Sequence, residues 1–171
     1  MTPLAPGISF VDLEFLGRPR AIATGIVSSA GEVALVDPGP TTCLERLEEG
    51  LHAQGIRLAD VTHLLLTHIH LDHAGATGTI VKRHPAIRVL VHERDAAHLM
   101  APEKLLESAT RLYGADMDRL WGEFLAVPER NVRGLTGGER IVVAGRQFDV
   151  AYTPGHASHH VSYFDAASGV A

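Results

Sequence analysis

A second cysteine, an apolar run long enough to cross a bilayer and an excess of positive charge are all missing from this 171-residue sequence. A single cysteine, Cys43, excludes an intrachain disulfide and leaves the redox compartment open. Crossing a bilayer takes roughly 20 consecutive apolar residues, and no such run occurs, so no membrane partner is expected. The opening MTPLAPGISFVDLEF has no basic stretch leading into an apolar core and does not read as a signal peptide. The cytoplasm is therefore the expected compartment. Fifteen Lys and Arg stand against twenty Asp and Glu, a net charge of −5. No basic stripe offsets that balance, which argues against a nucleic-acid partner.

What is present is a globular composition. Hydrophobic residues make up 46% and charged residues 20%, so disorder is not expected. The length suits one domain, 1–171, with a sizeable core. The eleven histidines are unevenly spread. His68, His70 and His73 fall close together, and so do His156, His159 and His160. Two tight clusters far apart in sequence point to one site built from two loops.

The pattern along the chain is mixed α/β. Strands are expected over Ile8 to Phe15, Ala21 to Ser28 and Glu32 to Val36, with Ser29-Ala30-Gly31 as a hairpin turn. Asp37-Pro38-Gly39-Pro40 ends the last of these. Thr42 to Glu45 has the form of a capping box. Behind it Leu44, Leu47 and Leu51 recur at helical spacing up to Gly55. A strand over Val61 to Thr67 runs into HIHLDH. A helix from about Ala74 to Arg83 and a strand over Ile87 to Val91 follow. Residues 93 to 126 carry helix formers throughout and read as a helical insertion, divided at Gly114. Its large apolar residues are expected to pack on one another, with a lid over a cleft as the second reading. Strands return at Arg140 to Val143, Gln147 to Tyr152 and Val161 to Phe164. A further strand is expected to begin at Gly169.

His68-Ile69-His70-Leu71-Asp72-His73 is the chemical centre of the sequence. Imidazole nitrogens and a carboxylate suit a borderline-soft divalent cation. Residues two apart in an extended turn project to the same side, so His68 and His70 can grip one ion. Asp72 and His73, from the end of the turn and the helix start, can reach a neighbouring ion. A tight loop after a buried strand leaves these side chains little entropy to lose on binding. Ala74-Gly75-Ala76 let the backbone pass close to the site.

THIHLDHAG resembles the THxHxDHxGG signature of the metallo-β-lactamase superfamily, which includes glyoxalase II-like hydrolases. YTPGHASHH resembles its third motif, TPGHTxGH, and VDPGP resembles its first. The three occur in the family's order. The resemblance implies an αββα sandwich with the site at one edge. It implies that His68, His70 and His156 ligate a first metal, most often zinc, with iron or manganese as alternatives. Asp72 and His73 would begin a second metal site, and Asp37 would orient the ligand loop by hydrogen bonds. His160 falls where family members often have a histidine near the substrate. His159 is read as a loop residue and His63 as a sheet residue. His92 is not assigned to the cleft.

The family's fourth motif, a bridging Asp, and its fifth, a late histidine, lie beyond the last residue. The expectation is an N-terminal part of a longer enzyme, truncated or processed. Asp165, in FDAASG, reads as a hairpin-turn residue rather than the bridging Asp. The resemblance implies hydrolysis of a small-molecule thioester, ester or lactone by metal-bound hydroxide, with Asp72 as the catalytic carboxylate. Two other readings remain open. One is a metal-binding or structural fragment without activity, or a folded half that pairs with a second copy through exposed sheet edges. The other is mononuclear iron chemistry on sulfur.

Overall fold

The computed structural model describes residues 2–171. Four strands open the chain as an antiparallel meander: β1 (Thr2–Ala5), β2 (Ile8–Asp12), β3 (Ala23–Ser29) and β4 (Glu32–Val36). The β3–β4 turn places Ala30 and Gly31 at φ 54° and 81°. Positive φ at both central residues is the twist that a tight two-residue hairpin requires.

The chain then crosses over in helices. Helix α1 (Leu44–His52) leads to β5 (Val61–Leu65), and α2 (Leu71–Ala74) and α3 (Thr77–Arg83) lead to β6 (Arg88–His92). Next, α4 (Glu93–Met100), α5 (Glu103–Tyr113) and α6 (Met117–Leu120) lead to β7 (Val132–Leu135). Strands β4 to β7 pair in parallel, and the seven-stranded sheet runs in order β1 to β7. A second, antiparallel sheet holds β8 (Arg140–Val143), β9 (Arg146–Tyr152) and β10 (Val161–Phe164), in order β10-β9-β8.

Side-chain alternation along the strands divides the core in two. Ile26, Leu35, Leu64, Leu66, Val89 and Val91 face the helices and join Leu44, Leu47 and Leu51 of α1. Their neighbours Val27, Ala34, Leu65 and Leu90 face the other way, onto Phe148, Val150 and Val161 of the small sheet. A central strand buried on both faces must be apolar at every position, which is why Leu64-Leu65-Leu66 shows no polar alternation. Each fully buried leucine contributes about 1.5–3 kcal/mol. Helix α1 approaches the sheet so closely that a Cβ at Gly50 would lie 2.4 Å from Val11 Cγ1.

The chain thus has the α/β sandwich of the resemblance, with helices on one face of a two-sheet stack. The outward side of the small sheet leaves Val142 70% and Phe164 41% exposed.

Several sequence expectations are corrected. Thr42 does not cap α1: the N-cap is Cys43, without a side-chain bond, because the Thr42 hydroxyl donates to the Leu120 carbonyl instead. The helix expected from about Ala74 starts at Thr77 and runs to Arg83, and a separate short helix over Leu71–Ala74 precedes it. Near Gly169, Val170 forms an antiparallel bridge with Asp165 across the turn 166–169. Two strands had no sequence signal. β1 is an edge strand containing Pro3, tolerated where an N–H can go unpaired. β7 buries only Leu135, so it shows no period.

Candidate metal centre

The parallel strands β4, β5 and β6 deliver their C-terminal ends to one edge of the sheet, the usual place for a site in an open α/β sheet. Asp37 leaves β4, Thr67 and His68 follow β5, and His92 ends β6. Thr153 to His160 come from the other sheet, between β9 and β10. Two bonds lock that loop onto the first sheet. The Val161 N–H donates to the Thr67 carbonyl at 2.9 Å, and the Tyr163 hydroxyl to the Leu66 carbonyl at 2.9 Å.

His68, His70 and His156 each offer a ring nitrogen, and the three lie within 4.8 Å of one another. His68 is 1% exposed, whereas His70 and His156 open to solvent. His68 Nδ1 lies 2.9 Å from the Thr67 hydroxyl, which directs Nε2 the other way. That Nε2 is buried and has no hydrogen-bond partner. An orphaned buried nitrogen is costly unless something fills its lone-pair direction. Burial, followed by repulsion from His73 and His70, lowers the His68 pKa to about 3. Burial and then His156 lower that of His70. Both rings therefore keep neutral, ligating nitrogens at neutral pH. The donor set fits a divalent metal ion of the zinc type.

Behind these ligands lies a hydrogen-bonded brace. Asp37 Oδ1 accepts from the Thr67 N–H at 2.8 Å, and Oδ2 accepts from the Thr67 hydroxyl at 2.6 Å. His73 Nδ1 lies 2.8 Å from the same Oδ2. On its far side, His73 Nε2 lies 3.4 Å from Asp72 Oδ2. Burial opposes a charged His73, but hydrogen bonds to Asp37 and Asp72 outweigh it and raise the pKa to about 10. Burial likewise works against the Asp72 carboxylate, and the bond to His73 still lowers its pKa. Asp37 sits at φ 51°, a left-handed conformation uncommon for a residue with a side chain. The brace holds it there, with the Thr24 hydroxyl donating to its carbonyl at 2.9 Å.

The two N-terminal motifs are also joined through the backbone. Gly39 N–H donates to the His73 carbonyl at 3.0 Å, and Ala76 N–H to the Gly39 carbonyl at 2.8 Å. A Cβ at Gly75 would meet the Leu71 carbonyl at 2.5 Å and Pro40 Cα at 2.9 Å. Only glycine allows that approach.

The structure therefore gathers His68, His70 and His156 at one point, with Asp72 and His73 side by side next to it. His160 stands near by, its ring centre 5.4 Å from that of His68 and its Nδ1 2.8 Å from the Thr153 hydroxyl. Asp165 lies at the far end of β10, bound to Arg146 and Ser168. His159 is more than a loop residue, because its Nδ1 lies 2.8 Å from the carboxylate of Asp95, which is 2% exposed. His92 is buried and stacks on His159 at 5.8 Å. Sequence reasoning missed Asp95, which had no motif around it. The apolar residues of the insertion do not pack only on one another, since Trp121 stacks on Phe15 at 5.4 Å and clusters with Leu71.

A sandwich whose strand ends bring together three histidines able to hold a metal ion is the class that this geometry defines. The chain belongs to the Metallo-beta-lactamase superfamily, whose sequence pattern matches residues 17–171. It is 27% identical over 139 residues to a hydroxyacylglutathione hydrolase of Buchnera aphidicola, covering 81% of this chain and 41% of that protein. A hydroxyacylglutathione hydrolase of Stenotrophomonas maltophilia is 28% identical over 142 residues, with 82% and 41% covered. A metallo-beta-lactamase family protein from Thermus thermophilus superposes with a TM-score of 0.71 at 28% identity, over 95% of this chain and 56% of that one. The FEZ-1 metallo-beta-lactamase of Legionella gormanii gives 0.73 at 18% identity, over 96% and 56%, and shares the fold. The chain thus spans about two fifths of the two hydrolases, 41% of each. No helix among the described residues is long and apolar enough to cross a membrane.

Proposed function

We propose that the protein containing this chain is a metal-dependent hydrolase of a carbonyl bond in a small-molecule thioester, ester or lactone. The observation that carries the reading is the meeting of three histidine nitrogens beside a carboxylate, at the mouth of a cleft. His68, His70 and His156 would hold the ion, zinc by the chemistry of the donors. When bound, a divalent ion acts as a Lewis acid and lowers the pKa of water toward 7.

The residues of this chain supply the rest. Asp72, kept ionised by His73, can accept a proton from the attacking water and return it to the departing sulfur or oxygen. Water thereby adds to the carbonyl carbon, the bond to the leaving atom breaks, and an acid plus a thiol or alcohol result. Asp37 holds the His73 ring and the Thr67 backbone, so the ligand loop does not reorganise during the reaction. The names of the hydroxyacylglutathione hydrolases support a thioester first among the three bonds.

Elemental mass spectrometry on protein purified without added metal, followed by hydrolysis assays with a thioester, an ester and a lactone, tests this. Bound zinc and chelator-sensitive hydrolysis of at least one substrate are expected. Metal-loaded protein that hydrolyses none of them would overturn the reading.

A further inference from the structure

The cleft beside the histidines has a wall that the chemistry above does not use. It encloses about 410 Å³, within the range of small-molecule sites. His70, Asp72 and His156 form its polar end. Leu105, Ala109, Leu112 and Tyr113 of α5, with Trp121 just after α6, form a largely apolar side in which Ser108 is the one polar residue. That side is built before any ligand arrives. Trp121 stacks on Phe15 at 5.4 Å and meets Tyr113 edge-on at 5.2 Å. Leu112, by contrast, stays 74% exposed on the same wall. No Lys or Arg lines the cleft, and Asp72 is its one acidic residue.

We propose that this wall binds the acyl side of the substrate, and that the acyl group is an uncharged aliphatic chain. The proposal rests on the hydrolase reading and narrows its substrate class. The α5 side of the cleft carries no Lys or Arg to pair a charged acyl chain, whereas an alkyl chain would cover Leu112 and the ring edges. The acyl side fits better than the leaving side. A leaving group must part toward solvent, while the acyl chain can stay against the apolar wall until the bond is cut. The insertion is thus a specificity element, with its apolar residues shared between packing and ligand.

Two measurements test this on the chain as it stands. The first needs no hydrolysis. Trp121 is the sole tryptophan, so its emission reports the wall directly during titration with n-octanol and, separately, ethanol. A saturable change with n-octanol alone is expected, weakened about tenfold in Leu112→Asp, whose exposed position makes misfolding no explanation. No saturable change, or equal affinity in Leu112→Asp and Ala109→Glu, overturns the site.

The second compares thioesters of one thiol with acetyl, butyryl and octanoyl groups on zinc-loaded protein. kcat/KM should rise about threefold per methylene until the cleft is filled, and the octanoyl-to-acetyl ratio should fall toward one in Leu112→Asp. A ratio near one in the parent sequence overturns the acyl assignment while leaving the hydrolase intact. Octanol binding without turnover of any thioester, ester or lactone removes the hydrolase reading and leaves an apolar ligand site in place.

Discussion

His73 Nδ1 lies 2.8 Å from Asp37 Oδ2, an oxygen that also accepts the Thr67 hydroxyl at 2.6 Å. One carboxylate thus ties the end of β4 to both halves of the histidine loop. Replacing it by alanine leaves the Thr67 N–H and the His73 ring without their partner. Asp37→Ala should weaken zinc affinity by roughly ten- to a hundredfold, the usual effect of losing a group that orients metal ligands. Competition with a chromophoric chelator measures it. Unchanged affinity would mean that the histidines are held without the brace.

The pair His159–Asp95, 2.8 Å apart, fastens the loop that carries His156 to the start of α4. Burial raises the Asp95 pKa, and the bond to His159 works against that rise. His159 stands where the motif TPGHTxGH has glycine. His159→Gly should therefore lower zinc affinity by up to about tenfold and increase exchange broadening of the His156 ring signals in NMR spectra. A zinc titration with the parent's affinity would show that the loop needs no such tether.

Asp165 bonds Arg146 and Ser168 at the end of β10 remote from the histidines. Breaking a buried ion pair by removing one partner costs about 3–5 kcal/mol, so Asp165→Ala should lose stability on that order in urea unfolding. Zinc stoichiometry should stay the same. A drop in stoichiometry with a full-length stability would point instead to a ligand role.

The Asp165 pair also predicts a pH dependence. Burial tends to raise the Asp165 pKa, but hydrogen bonds from Arg146 and Ser168 outweigh it and the pKa is lowered. A carboxyl with a depressed folded pKa stabilises the fold above its unfolded value and loses that contribution as pH falls through the folded one. Unfolding midpoints of the parent should fall below the ordinary carboxylate range, and those of Asp165→Ala should fall less over the same window. Parallel pH curves for the two proteins would contradict this.

Gly75→Ala tests the backbone contact between the first and second motifs. The added Cβ would lie 2.5 Å from the Leu71 carbonyl and 2.9 Å from Pro40 Cα. Overpacking of this kind costs about 1–3 kcal/mol. Loss of thermal stability together with weaker zinc binding is expected, since the shift must move the His73 carbonyl bonded to Gly39.

The sequence by itself determined the elements whose pattern is local. Glu32–Val36, Arg140–Val143 and Val161–Phe164 are strands as their residues indicate, because alternation or unbroken apolar character follows from burial on one face or two. The histidine motifs were legible for a related reason. Their close spacing along a turn already places nitrogens on one side of the backbone.

Tertiary structure decided what depends on residues far apart. Thr42 looks like a helix cap until the 120–123 segment arrives to take its hydroxyl. Asp95 is unremarkable among the acidic residues until β6 and the His156 loop bring His159 to it. The sequence leaves Trp121 and Leu112 open between internal packing and a lid over a cleft until α5 is folded over the histidines, where one is anchored on Phe15 and the other is left facing the cleft. Local pattern encodes which way a side chain points from its own backbone. What that side chain meets is set by the packing of elements dozens of residues away, and no spacing within a motif carries that information.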